Sequence, residues 1–368
     1  MAGCEERAKF DRWPMEVVVG PSSAMDAGWR SPAHPQTLEA GDAEPVTVAS
    51  PITALAASPD LEGSFFGLLV FHEEGVDRCG ALLVADGPVA VRGEFPLVRS
   101  APVLDWRRDR APCLLSALLT GGATDAPAPP DGGEPPPWLL GGEVRLAWFE
   151  GSEFVIGESE LPADVNPWRL RTGRFAGEQN LLVFVYNEAP FDEVMRRRPW
   201  IYRVVEGEDG LPHLDPRWRG TSFAHPFRDA TFCDLTGTGE GEIAALEVAE
   251  DGGWMLTAYR FEGFGLEGMA PSLELPEVED RIEAVHLDRN ATDELLVHAT
   301  GRPPRFIFYG LRGPEPVLLE VAQARAPQNL LGWVPLREEA GRFEIFCLLR
   351  DGSTQVVEVP TGAQPAAP

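Results

Sequence analysis

From its hydrophobic and polar positions, the chain repeats one theme: a short apolar run, a polar turn, and a second apolar run. The turn Asp234-Leu-Thr-Gly-Thr-Gly-Glu-Gly-Glu242-Ile243 gives the clearest copy. His286-Leu-Asp288-Arg-Asn290-Ala-Thr-Asp-Glu294-Leu295 matches it best, and Thr172-Gly-Arg-Phe-Ala-Gly177-Glu-Gln-Asn180-Leu181 follows. Fainter copies are Ser58-Pro-Asp60-Leu-Glu-Gly63-Ser, Asp105-Trp-Arg-Arg-Asp109-Arg110 and Leu336-Arg-Glu-Glu-Ala-Gly341-Arg-Phe-Glu344-Ile345. The turn centres Gly63, Arg110, Gly177, Gly239, Ala291 and Gly341 recur at roughly 50 to 65 residues, enough for four strands and their loops. A third and a fourth strand are expected after the better copies, over residues 254–261 and 271–275, and again over 305–310 and 316–321.

A sheet of that size cannot bury its own two apolar faces, and neighbouring copies must cover them. The expected fold is therefore all-β: a β-propeller of about six, alternatively seven, four-stranded blades. The last copy stops after residues 355–359, one strand short, while residues 45–49 precede the first strand (52–57) with nothing to pair. We expect 45–49 to supply the outer strand of the last blade, closing the ring and removing two open sheet edges. Residues 1–43 then form an N-terminal extension with one further strand at 15–20, 44–360 the propeller, and 361–368 a tail. Residues 123–137, rich in Pro, Gly and Ala, read as a loop inserted in the second blade.

Composition agrees with many short strands: 38 Gly, 35 Pro and 10 Trp in 368 residues. The net charge of −27 opposes nucleic acid and anionic lipid as partners. Lys9 is the only lysine, so almost every cation is a guanidinium. Cys4, Cys79, Cys113, Cys233 and Cys347 contain no CxxC pair, and the last three lie in apolar runs as core thiols. Met1-Ala-Gly-Cys4 matches the end of a bacterial lipoprotein signal without its apolar stretch. With a start further upstream, Cys4 would carry a lipid and the protein would sit outside the cytoplasm on the cell envelope; with the start as written it would be cytoplasmic.

The acidic turns resemble the FG-GAP or VCBS repeats of integrin-type propellers, and residues 166–265 are similar to a bacterial VCBS-repeat group. The stretches that carry the likeness are Arg198-Pro-Trp-Ile-Tyr202, Trp218-Arg-Gly-Thr-Ser222, His225-Pro-Phe-Arg-Asp229 and Glu242-Ile-Ala-Ala-Leu-Glu247. The resemblance implies a propeller, and calcium as the ion to test at Asp234, Glu242, Asp288, Asn290 and Glu294. These donors are sparse, and hairpin turns that have lost the ion account for them as well. No cofactor is required by the motifs.

Between residues 166 and 228, ten arginines face eight acids, a balance near +2 in a chain whose remainder is near −29. Residues 187–199 are expected to be a loop between second and third strands, and 166–168 and 218–226 blade junctions, all opening on one face. That face would present Trp168, Arg196, Arg197, Arg198, Trp218, Arg219, Ser222 and His225 to a small anionic or sugar-like ligand, or to a protein partner. The competing reading pairs the arginines with Glu188, Asp192 and Glu193 and packs the tryptophans between blades. GxSxG, HExxH and phosphate-loop motifs are absent, and Asp351-Gly-Ser-Thr reads as a hairpin turn, which favours binding over catalysis. The alternative is a propeller-fold hydrolase or lyase with Arg219, His225, Asp229 and Glu188 converging at the channel mouth.

Overall fold

The structure is a computed structural model; it describes residues 36–38, 46–48, 52–57, 67–73, 78–84, 88–92, 98–100, 103–108, 111–121, 142–150, 153–161, 163–189, 192–287, 292–339, 342–349 and 354–360. Most of them are strand. β1 (Gln36–Leu38) pairs with β2 (Val46–Val48). β3 (Ile52–Ala57), β4 (Gly67–Glu73), β5 (Arg78–Val84) and β6 (Pro88–Arg92) form a four-stranded sheet. The next holds β7 (Val98–Ser100), β8 (Val103–Arg108), β9 (Ala111–Gly121), β10 (Gly142–Glu150) and β11 (Glu153–Ser159), with β7 and β8 both on β9. A third runs β12 (Pro167–Phe175), β13 (Glu178–Ala189), β14 (Asp192–Glu206) and β15 (Pro212–Trp218). The fourth is β16 (Phe227–Cys233), β17 (Glu242–Val248) and β18 (Trp254–Phe261), with β19 (Leu266–Gly268) and β20 (Leu273–Leu275) both on β18. The fifth is β21 (Val278–Val285), β22 (Glu294–Ala299), β23 (Arg305–Arg312) and β24 (Val317–Arg325), and the last β25 (Leu330–Glu339), β26 (Arg342–Leu349) and β27 (Thr354–Pro360). Apart from β7 and β20, which pair with β9 and β18, strands adjacent in sequence pair within these sheets, a set of antiparallel meanders consistent with a β-propeller-like fold.

Gly177 and Gly239 fall between the first two strands of their sheets, while Gly63, Arg110, Ala291 and Gly341 lie outside the described residues. The reason is local. Ala176 and Gly177 both take positive φ (49° and 79°), as a two-residue hairpin turn that follows strand twist requires. At Gly241 the constraint is contact: a Cβ there would lie 2.6 Å from the Phe175 ring.

The chain divides into two compact units, Met1–Leu170 with Val204–Asp215, and Arg171–Arg203 with Pro216–Pro368. In the first, Val144, Leu146, Ala147, Trp148 and Ala117 are buried. Glu160 accepts the Leu214 N–H (3.0 Å) and lies 3.4 Å from His213. In the second unit the core follows the two-residue strand period. Leu295 and Val297 of β22, with Ile307 and Tyr309 of β23, pack with Ala244, Leu246 and Leu256 of the fourth sheet. The intervening Leu296, Phe306 and Phe308 pack with Trp333, Phe343 and Ile345 of the last sheet. The fifth sheet is thus covered on both faces, which explains why β22 is buried along its whole length.

Several expectations are corrected. Residues 187–199 are not a loop: β13 continues to Ala189 and β14 starts at Asp192, with Asn187 opposite Arg196 and Tyr186 opposite Arg197. Trp218 ends β15 rather than opening a junction. The fourth strand expected at 271–275 is split between β19 and β20. The strand expected at 45–49 is present as β2, and its described pairing is with β1; the last sheet has three strands among the described residues. The strand at 15–20, Cys4 and the loop at 123–137 lie outside the described residues.

Candidate binding face and a buried charge ladder

The connection from β15 to β16 is fixed by one buried carboxylate. Glu247 of β17 accepts hydrogen bonds from the His225 N–H (3.1 Å), the Tyr259 hydroxyl (2.7 Å) and the Thr257 hydroxyl. The Tyr259 oxygen in turn accepts the Ala224 N–H at 3.1 Å. Phe223 stacks on Tyr259 with centroids 5.0 Å apart and meets Phe227 edge-on. Burial, the Glu247 charge and its hydrogen bond push the Tyr259 phenol far above its usual range, so it stays a donor.

On this connection Arg219 is exposed, its guanidinium carbon 5.8 Å from the centre of the buried Trp200 ring. Its charge also opposes the burial that raises Tyr202 to about 12. Ser222 and His225 are half-buried beside it in sequence. Arg196 is exposed and only 3.6 Å from Asp192. Arg197 donates to the Phe227 carbonyl (3.2 Å).

The remaining members of the expected face are packing residues. Arg198 has no exposed surface: it donates to the carbonyls of Asn187 (2.7 Å) and Val194 (2.7 Å) and pairs with Asp192 (3.0 Å). A buried guanidinium must be paired, and a strand position beside Asp192 provides that. The Asp192 carboxyl is held low by its hydrogen bond from Arg198. Trp218 is buried, donates its indole N–H to the Phe264 carbonyl (3.0 Å) and packs edge-on against Phe261. Trp168 is buried in the first unit, with Arg169 5.7 Å from its ring centre. Glu188 is exposed, and the Asp229 carboxylate is directed to Arg171.

The proposed calcium turns are organised by protein donors. Glu242 accepts the Leu235 N–H (2.7 Å) and the Thr236 hydroxyl (2.6 Å), with Arg260 at 3.5 Å. Glu294 repeats the arrangement one sheet later, accepting the Leu287 N–H (3.1 Å) and Arg312 (2.9 Å). Both carboxylates are buried. Asp234 caps the turn by accepting the Gly239 N–H (3.0 Å). Asp288 and Asn290 lie outside the described residues. Among the described residues no three His, Cys, Asp or Glu side chains gather as a metal site would need.

The sequence did not announce the densest polar cluster. Arg171, Asp229 and Arg281 each stand four places before the end of the first strand of three consecutive sheets, and all are buried. Arg171 grips Asp229 with two guanidinium nitrogens, Nε at 3.1 Å and Nη2, while Asp229 also accepts the Ile282 N–H (3.0 Å). Glu283 Oε1 joins Arg171 (2.8 Å) to Arg281 (2.7 Å). Arg281 donates to the Trp333 carbonyl (2.6 Å) and lies 4.5 Å from its ring centre. The Trp333 indole N–H reaches Glu279 (3.1 Å), which faces His298 at 3.1 Å. Burial raises the Glu279 carboxyl, but the His298 and Trp333 hydrogen bonds and the charges of His298 and Arg281 outweigh it, leaving it below the ordinary range. Asp229 and Glu283 are each held by a buried arginine, an arrangement that fixes register between sheets.

No family model matches the chain, and no curated protein matches it. Among solved structures it is similar to a candidate 6-phosphogluconolactonase from Bacteroides uniformis, at 12% identity and a TM-score of 0.39 over 88% of this chain and 90% of that one. A second candidate 6-phosphogluconolactonase, from Bacteroides fragilis, gives 10% identity and a TM-score of 0.36 over 83% and 84%. The polysaccharide lyase Uly1 gives 8% and 0.38 over 84% and 77%. Likeness at this level carries no argument about activity.

Proposed function

We propose that the chain is a non-catalytic binding or scaffold β-propeller of about six blades, closed by the strand at 45–49, whose working surface takes an anionic or sugar-like ligand or a protein partner. The observation that supports it most is Arg219, exposed over the Trp200 ring on a connection that Glu247 holds in place. A guanidinium over an aromatic ring offers paired donors beside an apolar surface, the combination that suits a sugar carboxylate. Ser222 and His225, on the same connection, supply further polar atoms. The FG-GAP/VCBS likeness rests on the acidic turns and on the stretches named between residues 166 and 265. The test is a titration of the full chain with glucuronate, followed by tryptophan emission. Binding that Arg219→Ala weakens at least tenfold is expected; equal binding by the variant removes the site.

The buried ladder favours a second reading, a hydrolase or lyase, because acid and base groups converge there. Their mutual pairing weighs against it. Hydrolysis or elimination lost in Glu279→Gln and His298→Ala variants that keep the wild-type unfolding midpoint would establish that reading. Attachment to the cell envelope through Cys4 and calcium binding by the turns complete the proposal; mass analysis of Cys4 and melting curves with and without calcium test them.

A further inference from the structure

A cleft of about 480 Å³ opens at the end of the fifth sheet, lined by Pro303, Arg305, Gln323, Ala324 and Arg325. Its position is set by strand register: Arg305 of β23 lies directly opposite Arg325 of β24. Directly opposed residues of an antiparallel pair project from the same face with Cβ atoms about 5 Å apart, where like charges repel. The cost is usually removed by a carboxylate. Elsewhere on this sheet Arg312 holds Glu294 at 2.9 Å. Arg305 has no carboxylate within 4.0 Å among the described residues, and its one side-chain bond is to the neutral Gln323 amide oxygen at 2.7 Å. Arg325 is exposed and likewise outside every described ion pair. In a chain with 58 acidic and 31 basic residues, an opposed arginine pair with no carboxylate beside it among the described residues leaves like charges adjacent on one face. The two walls are joined at their end, since the Ala326 N–H donates to the Pro304 carbonyl (3.0 Å).

We infer that Arg305 and Arg325 form an oxyanion-binding site, separate from the Arg219 face, for a phosphate ester or a carboxylate of small-molecule size. Two guanidiniums from neighbouring strands provide paired N–H donors across one anion, and that anion supplies the charge the strands lack. The Gln323 amide orients Arg305 and leaves its remaining N–H groups for the ligand.

The experiment measures the unfolding midpoint of the full chain against inorganic phosphate and, separately, acetate, each compared with chloride at equal ionic strength. A saturable rise is expected, and the anion giving the tighter response identifies the ligand as ester or carboxylate. Arg325→Ala should weaken the response at least tenfold. Arg325→Glu should abolish it while raising the midpoint without added anion, because Glu at that position pairs with Arg305. The inference is overturned if neither anion exceeds chloride, or if Arg325→Ala and the Arg305→Ala/Arg325→Ala double variant respond like the wild type.

Discussion

Replacing Asp229 by Ala tests whether the ladder holds the sheets together. The carboxylate is fully buried and Arg171 is 5% exposed, so deletion strips two guanidinium bonds and leaves the Ile282 N–H without its acceptor. Breaking a buried pair from one side costs about 3–5 kcal/mol. Arg171 retains Glu283 at 2.8 Å, which places the loss near the lower end, about 3 kcal/mol. With a urea slope of about 3 kcal/mol per M, the midpoint falls by roughly 1 M. The exposed pair Arg217–Glu178, at 26% and 58% exposure, is the comparison: breaking it costs about 0–1 kcal/mol. Combining Arg171→Met with Asp229→Leu should recover most of the loss, because neither member of the pair is then left buried without its partner. A loss below about 1 kcal/mol for Asp229→Ala, or a double variant weaker than the single one, would refute the reasoning.

Further outcomes follow from the same geometry. Phe308, fully buried between the fifth and last sheets, should cost about 3–5 kcal/mol as Phe308→Ala in the same urea titration. The depressed Glu279 carboxyl contributes stability that is present above its ordinary value of 4.5 and is lost as pH falls through its folded value. Glu279→Gln should therefore flatten the acid limb of a stability-against-pH curve, and an unchanged limb would show that the pairing with His298 is not linked to folding. Burial raises the Cys347 thiol to about 12 and Cys233 well above its usual range, so neither should react with a thiol reagent at pH 8 until the protein unfolds.

What was legible in the sequence was local. Gly177 and Gly239 marked hairpins because the positive φ they adopt is a property of a few adjacent residues. β18 was placed at its observed bounds because β17 and β18 are apolar runs flanked by Asp, Gly and Glu. What failed was long-range. The ladder joins residues 58 apart in the case of Arg171 and Asp229, and only the register of first strands brings them together. Arg196 to Arg198 read as a loop because the exposed start of a long hairpin strand has no apolar alternation, although Arg198 turns inward to Asp192. Glu242 and Glu294 resembled metal ligands because a carboxylate after a polar turn has the same signature whether it accepts a backbone N–H or holds an ion. The opposed Arg305 and Arg325 passed unnoticed for the reason that hid the ladder: their pairing is set by register, not spacing.

Closure of the proposed ring by residues 45–49 would gather the connections between sheets on one face. The direct measurement is complementation: a chain beginning at residue 51, with and without a synthetic peptide of residues 43–50, examined by thermal unfolding. A lower midpoint for the shortened chain, restored in a saturable way by the peptide, is the predicted result. A shortened chain that melts with the full-length protein and ignores the peptide would contradict it.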